Sequence, residues 1–185
     1  VSPDEKFVYS VEEDAANNGK EGEVSAFSFN KETGKLSFLN RKPTGGDHPC
    51  YVSVDKTGRW VAAGNYSSGS LSLMPVLADG SLGTATSIIR HEGSGPNIGR
   101  QASPHVHGTF FSPDNRFLFV PDLGIDKVMI YAFDETTGKL TTAKQAFAES
   151  LPGSGPRHIS FHPSNKYAYL MQELSGTVTA FKYKN

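Results

Sequence analysis

The chain has 185 residues, 37% hydrophobic and 11% aromatic, with a formal net charge of −1, which suits one domain with a sizeable core and leaves no basic footprint for nucleic acid. No apolar run reaches the length of a membrane span, and no signal peptide is visible at Val1. A single cysteine, Cys50, excludes an internal disulfide and fits a reducing compartment, so the expected location is cytoplasmic.

The chain opens on Val1-Ser2-Pro3-Asp4-Glu5-Lys6 without an initiator methionine, which reads as a trimmed start. Proline presets φ and Asp tolerates tight positions, so this is turn chemistry, and Phe7 to Val11 follows as a strand. The same pattern returns at Val54-Asp55-Lys56-Thr57-Gly58-Arg59, at Phe111-Ser112-Pro113-Asp114-Asn115-Arg116 and at Phe161-His162-Pro163-Ser164-Asn165-Lys166. Each turn leads into an apolar run, and the spacing of roughly 50–57 residues is typical of propeller blades. A third strand of alternating character follows in each repeat: 24–29, 70–74, 128–133 and 177–181. Three of these enter Gly-centred turns at Gly34, Gly80 and Gly138, the mark of antiparallel hairpins. Fourth strands are expected near 37–42 and 141–147. No helical periodicity of useful length is present, and a β-sandwich would show shorter turn spacing without long self-similarity.

The expected fold is therefore all-β, a β-propeller of four-stranded antiparallel blades, with repeats at about 1–47, 48–101, 102–152 and 153–185. The first repeat lacks its innermost strand and the last stops after its third, leaving an incomplete arc of about three and a half blades. Both end faces of such an arc need covering, by missing blades or by a partner chain.

Glycine- and proline-rich loops at 44–49, 92–101 and 150–156 lead into the inner strands. None precedes a helix, so no phosphate-loop reading is warranted. Aligning Val54, Phe111 and Phe161 puts Cys50, His107 and Arg157 in one register at the start of successive inner strands, converging on one mouth of the channel. The ends of the second strands lie beside them, bringing Asn65, Asp122 and Glu173 to the same rim, although Gln172 is the strict register match. His107 can serve as a general base or as a packed channel histidine. Arg157 offers a planar fork for carboxylate or phosphate oxygens, or an ion pair with Glu173 or Asp122. Glu173 can orient the arginine, share the base's duty or be a simple rim carboxylate. His105 and His107, two apart on a strand, face one way, and with Asp122 they offer a minority metal reading. His158 should face the opposite side, His162 reads as a turn residue, and Cys50 reads as a small buried residue rather than a nucleophile.

Four stretches carry a family likeness: 64–69 around Gly64-Asn65-Tyr66, 103–108 around His105 and His107, 120–126 around Pro121-Asp122, and 155–163 opening on Gly155-Pro156-Arg157-His158. In these the chain resembles the lactonase family of seven-bladed propellers, which includes propeller-type 6-phosphogluconolactonases and fungal carboxy-muconate lactonizing enzymes. The resemblance covers essentially all 185 residues and implies a full ring of seven blades. It places the family's catalytic His on His107, with His105 as the near alternative, its Arg on Arg157 and its Glu on Glu173. A second arginine would lie beyond Asn185. The activity implied is hydrolysis of a sugar δ-lactone, 6-phosphogluconolactone of the pentose phosphate route foremost, with no metal or organic cofactor. A lactone-forming muconate cycloisomerase is the alternative enzyme, and a non-catalytic binding platform the alternative class.

Overall fold

The computed structural model describes residues 1–13 and 21–184. Four antiparallel sheets follow one another along the chain. The first holds β1 (Phe7–Glu12), β2 (Glu23–Asn30) and β3 (Lys35–Pro43); the second holds β4 (Pro49–Val54), β5 (Trp60–Asn65), β6 (Ser70–Pro75) and β7 (Ser87–Arg90). The third holds β8 (Phe110–Phe111), β9 (Phe117–Asp122), β10 (Lys127–Asp134) and β11 (Lys139–Glu149), and the fourth β12 (Pro156–Phe161), β13 (Tyr167–Gln172) and β14 (Thr177–Lys182). Each sheet is a meander in chain order, the arrangement of propeller blades. Among the described residues the chain is a partial propeller with two four-stranded and two three-stranded blades.

The repeated turn has one physical signature. Its fourth position past the aligned residue takes a left-handed backbone in every blade: Glu5, Gly58, Asn115 and Asn165, with φ of 58°, 70°, 61° and 56°. Glycine and asparagine enter that region readily, and only Glu5 does so against its preference. Inside the turn Ser112 Oγ donates to Asp114 (2.6 Å) and accepts from the Phe117 amide (3.0 Å). Asp55 replaces the serine in the second blade, accepting from the amides of Thr57, Arg59 and Trp60.

Blades pack mainly through alternate residues of their second and third strands. Between the second and third, Trp60, Leu71, Leu73, Val106, Leu118, Val120, Tyr131 and Phe133 form one buried cluster. The first and second blades meet on Tyr9, Val24, Val61, Met74 and Leu82, and the third and fourth on Val128, Ile159 and Leu170. The hairpin glycine Gly138 (φ 69°) lies where an added Cβ would strike the Trp60 ring. Trp60 itself donates from Nε1 to the Glu135 carbonyl of the neighbouring blade at 3.0 Å.

The inner strands carry a feature the alternation of residues does not reveal. Pro49 pairs with Asn65 but Tyr51 with Gly64, so Cys50 is an extra residue. Pro156 pairs with Gln172 but His158 with Met171, making Arg157 extra in the same way. In the third blade the same one-residue offset separates the Val106–Asp122 bridge from the Phe110–Phe119 pair, with His107 directly after the bridge. The expected strand through 103–111 is accordingly reduced to Phe110–Phe111 and that bridge. A bulge leaves its extra residue unpaired and re-aims its side chain.

Candidate active site

The bulges gather three side chains from the third and fourth blades. His107 Nε2 lies 3.2 Å from Arg157 Nε and 3.3 Å from Glu173 Oε2, and Arg157 Nε lies 3.0 Å from the same carboxylate oxygen. Glu173 arrives one residue past the end of β13, its amide donating to the Gly155 carbonyl at 2.7 Å. Gly155 adopts φ 70°, which sets the entry of Pro156 and Arg157 into β12. The imidazole contact with Arg157 requires a lone pair on Nε2, so the compatible tautomer carries its proton on Nδ1. Arg157 Nε–H is then shared between His107 and Glu173.

Electrostatics agree with that assignment. Burial holds the His107 pKa below its ordinary value, and the Arg157 charge adds to the effect while Glu173 opposes it. Burial pushes Glu173 up, but the Arg100 hydrogen bond and the charges of Arg100 and Arg157 outweigh it and hold the carboxyl below its usual range. At neutral pH the cluster is thus a neutral imidazole, one carboxylate and two guanidinium ions.

The second guanidinium is Arg100, which sequence reasoning passed over. Its Nη2 lies 2.6 Å from Glu173 Oε1 and 3.3 Å from the Tyr66 hydroxyl. Tyr66 occupies in the second blade the position of Glu173 in the fourth: its amide donates to the His48 carbonyl as that of Glu173 does to Gly155. The blade alignment, moved one residue past Asn65 and Gln172, would have found it. The Arg100 loop is longer than its counterparts at 44–49 and 150–156, so the blade alignment leaves no such signal.

The remaining expected residues divide. His105 does reach the mouth, stacked on the Tyr66 ring with centroids 4.5 Å apart and donating from Nδ1–H to the Tyr66 carbonyl (3.1 Å). Asp122 does not open onto the mouth. It is wholly buried, with Oδ2 2.7 Å from His91 Nδ1 and Oδ1 accepting from the amides of His105 (2.7 Å) and Gly124 (2.9 Å). Asn65 is wholly buried too, its amide nitrogen donating to Ser70 Oγ, and Gln172 at the same position donates to Ser150 and Thr179. The expected register is correct, but these three side chains turn into the blade, where they pin the end of the second strand. Asp122 therefore meets the backbone of His105 and not the two imidazoles, so the geometry offers no His-x-His/Asp metal set. Among the described residues no group of three potential ligands is arranged for a metal.

His158 departs from expectation in the other direction. Strict alternation would turn it away, but the bulge at Arg157 swings it beside His107, ring centroids 5.4 Å apart and nearly perpendicular. It also packs against Tyr51 at 5.3 Å, and burial with the Arg157 charge lowers its pKa. Cys50 donates weakly to the Val106 carbonyl at 3.6 Å, and burial pushes its thiol up to about 12, which disfavours a thiolate. His162 caps its own turn, Nδ1 accepting from the Ser164 amide at 3.1 Å. A cavity of about 720 Å³ lies elsewhere, between the third and fourth blades among Phe117, Phe119, Ile130 and Phe181. It is an apolar inter-blade groove with no converging acid–base pair.

One family model, that of the 7-bladed beta-propeller lactonases, matches the chain over residues 1–185. The chain belongs to the seven-bladed β-propeller lactonase family. This lactonase-family chain is 42% identical over 178 residues to the 6-phosphogluconolactonase of Bacillus subtilis (strain 168), covering 96% of itself and 48% of that protein. It is 34% identical to the 6-phosphogluconolactonase of Formosa agariphila, covering 100% of itself and 52% of that protein. Among solved structures, the periplasmic gluconolactonase of Pseudomonas aeruginosa superposes with a TM-score of 0.90 at 35% identity, across 100% of this chain and 52% of that one. The chain spans about half the length of the curated relatives it matches. Among its described residues no helix is long and apolar enough to cross a membrane.

Proposed function

We propose that the His107–Arg157–Glu173 cluster serves hydrolysis of a sugar δ-lactone, with 6-phosphogluconolactone opened to 6-phosphogluconate. The observation that carries this reading is the contact of all three groups within 3.0–3.3 Å of one another. His107 is the base rather than Glu173. An effective base has a pKa near the working pH, and Glu173, held below the carboxylate range, is far weaker than a neutral imidazole. When Arg157 turns its Nε–H from His107 to the lactone carbonyl oxygen, the Nε2 lone pair is freed for water. Water oxygen then bonds to the carbonyl carbon as its proton passes to Nε2, and the new oxyanion sits on the guanidinium. Collapse breaks the ring C–O bond, and the imidazolium returns its proton to the departing ring oxygen.

Glu173 keeps Arg157 in place, and His105 with Tyr66 forms the aromatic wall beside it. Asp122 holds the His105 and Gly124 amides, Asn65 holds the Ser70 hydroxyl, and neither takes part in binding. The apolar faces bearing Tyr167, Tyr169 and Met171 at one end of the arc and Leu36 and Phe38 at the other, each 39–55% exposed, are covered by the other blades of a seven-bladed ring. The cytoplasm, where phosphorylated sugars are held, is the location that suits this substrate, and cell fractionation tests it.

The deciding experiment is a lactone panel on the full-length protein, each rate taken as excess over buffer at matched pH. Turnover of 6-phosphogluconolactone or a close δ-lactone supports the reading. No turnover of any lactone overturns it in favour of a binding platform.

A further inference from the structure

Arg100 is a built feature of the mouth rather than a stray surface cation. Its loop follows β7 and crosses to the third blade without regular structure, yet it is anchored. The Arg100 and Gln101 amides both donate to the Asn97 carbonyl, at 3.0 and 2.6 Å. The wholly buried Gln101 side chain donates to the Leu123 carbonyl (2.8 Å) and accepts from the Asn97 amide (3.1 Å). From this base the guanidinium spans the Tyr66 hydroxyl and Glu173, and those two hydrogen bonds raise its pKa further.

The two arginines take opposite oxygens of Glu173. Arg157 holds Oε2, the oxygen facing His107, and Arg100 holds Oε1. His107 meets Oε2 and Arg100 meets Oε1, so the Glu173 carboxylate stands between Arg100 and the imidazole. One carboxylate faces two guanidinium ions, and the cluster retains one positive charge. Only Nη2 of Arg100 is engaged among the described residues, its Nε and Nη1 donors are unspent, and its side chain is 46% exposed. A guanidinium fork with free donors is suited to phosphate oxygens.

We propose that Arg100, with the Tyr66 hydroxyl beside it, binds the phosphate monoester of the substrate while Arg157 serves the carbonyl end, so that Arg100 sets the preference for phosphorylated over plain sugar lactones. This rests on the lactonase reading above for its substrate, but the phosphate site can be tested without turnover.

The full-length protein and its Arg100→Met and Arg100→Lys variants are compared in two measurements. The first is the ratio of kcat/KM for 6-phosphogluconolactone to that for glucono-δ-lactone. Losing one charge-assisted contact should lower this ratio about 10- to 100-fold in Arg100→Met, with the loss carried by KM, and Arg100→Lys should recover part of it. The second is calorimetric binding of 6-phosphogluconate against gluconate, where Arg100→Met should lose the same factor for the phosphorylated acid. A melting temperature within a few degrees of wild type certifies the fold, and Arg100→Lys stands in if Arg100→Met fails that check. An equal fall for both lactones would overturn the proposal, because it would mean that Arg100 acts only by holding Glu173. An unchanged ratio would overturn it as well. If wild type turns over no lactone, the lactonase reading falls, while preferential binding of 6-phosphogluconate lost in Arg100→Met would still uphold the phosphate site.

Discussion

Tyr66 and Glu173 stand at the same position of the second and fourth blades, each one residue past a buried amide side chain, and the Arg100 guanidinium bridges them. One position of the repeat thus contributes an aromatic hydroxyl in one blade and a carboxylate in another. The carboxylate matters to the histidine next to it. Glu173 raises the His107 pKa, while burial and Arg157 depress it, and depression wins. The base should therefore stay neutral from pH 7 down past the ordinary imidazole value of 6.5. Activity should fall only as pH drops through the lowered value. Removing the Glu173 charge withdraws the raising influence, so Glu173→Gln should move the acid limb of the kcat/KM profile to still lower pH. A limb that stays put, or moves upward, would show that another group titrates.

Arg157 is shared between His107 and Glu173 through a single N–H, and its planar fork is what allows it to turn to a substrate oxygen without losing the carboxylate. Arg157→Lys keeps the charge but not the fork, and should leave kcat lower on the order of 10²–10³-fold, the usual cost of one oxyanion donor. His107→Ala should cost a comparable factor or more. Steady-state rates per folded molecule, with folding followed by circular dichroism, separate this from a structural role. Normal turnover alongside a lowered melting temperature would remove both residues from the mechanism.

The blades were legible because each repeat spells its turn, its alternating third strand and its hairpin glycine in the same order, and those are local signals. The site was legible only as far as register goes. Aligning Cys50, His107 and Arg157 brought the correct inner-strand starts together, since blades repeat. Alternation then failed at these residues, because each bulge adds a residue that a period of two does not anticipate. Strict alternation therefore turns His158 away from the site, and register alone puts the rim at Asp122 and Asn65 instead of one residue later. Arg100 leaves no signal at all: its placement depends on the buried Gln101 amide and on a loop longer than its counterparts in the other blades.

Hairpin glycines test the packing directly. Gly138 combines a left-handed φ of 69° with the Trp60 ring lying over its Cα. Gly138→Ala should destabilise by about 1–3 kcal/mol, seen as a lower urea midpoint with an unchanged slope. Gly34 shares the φ region, at 67°, but nothing lies within 4 Å of its added Cβ. Gly34→Ala should therefore cost only the backbone share, and equal losses at the two sites would mean that the tryptophan contact contributes little.

The sharpest distinction concerns Asp122, which sequence position alone would assign to the substrate. Its carboxylate accepts from the His105 and Gly124 amides and meets His91 Nδ1, while His91 Nε2 lies 2.9 Å from the Tyr131 hydroxyl. These groups are buried, so deleting the acceptor strands donors that water cannot reach. Each stranded donor costs about 1–3 kcal/mol, and Asp122→Ala should be among the most destabilising single changes in the third blade. Asp122→Asn keeps the Oδ1 acceptor for both amides, and a hydrogen bond to the other imidazole tautomer remains open to it, so it should lose clearly less. Urea midpoints of the two variants give the comparison. A substrate-binding Asp122 would behave otherwise: both variants would keep wild-type stability and raise KM. A positioning Asp122 lowers the midpoint first, and in Asp122→Asn it leaves KM near wild type because His105 stays where its backbone is held.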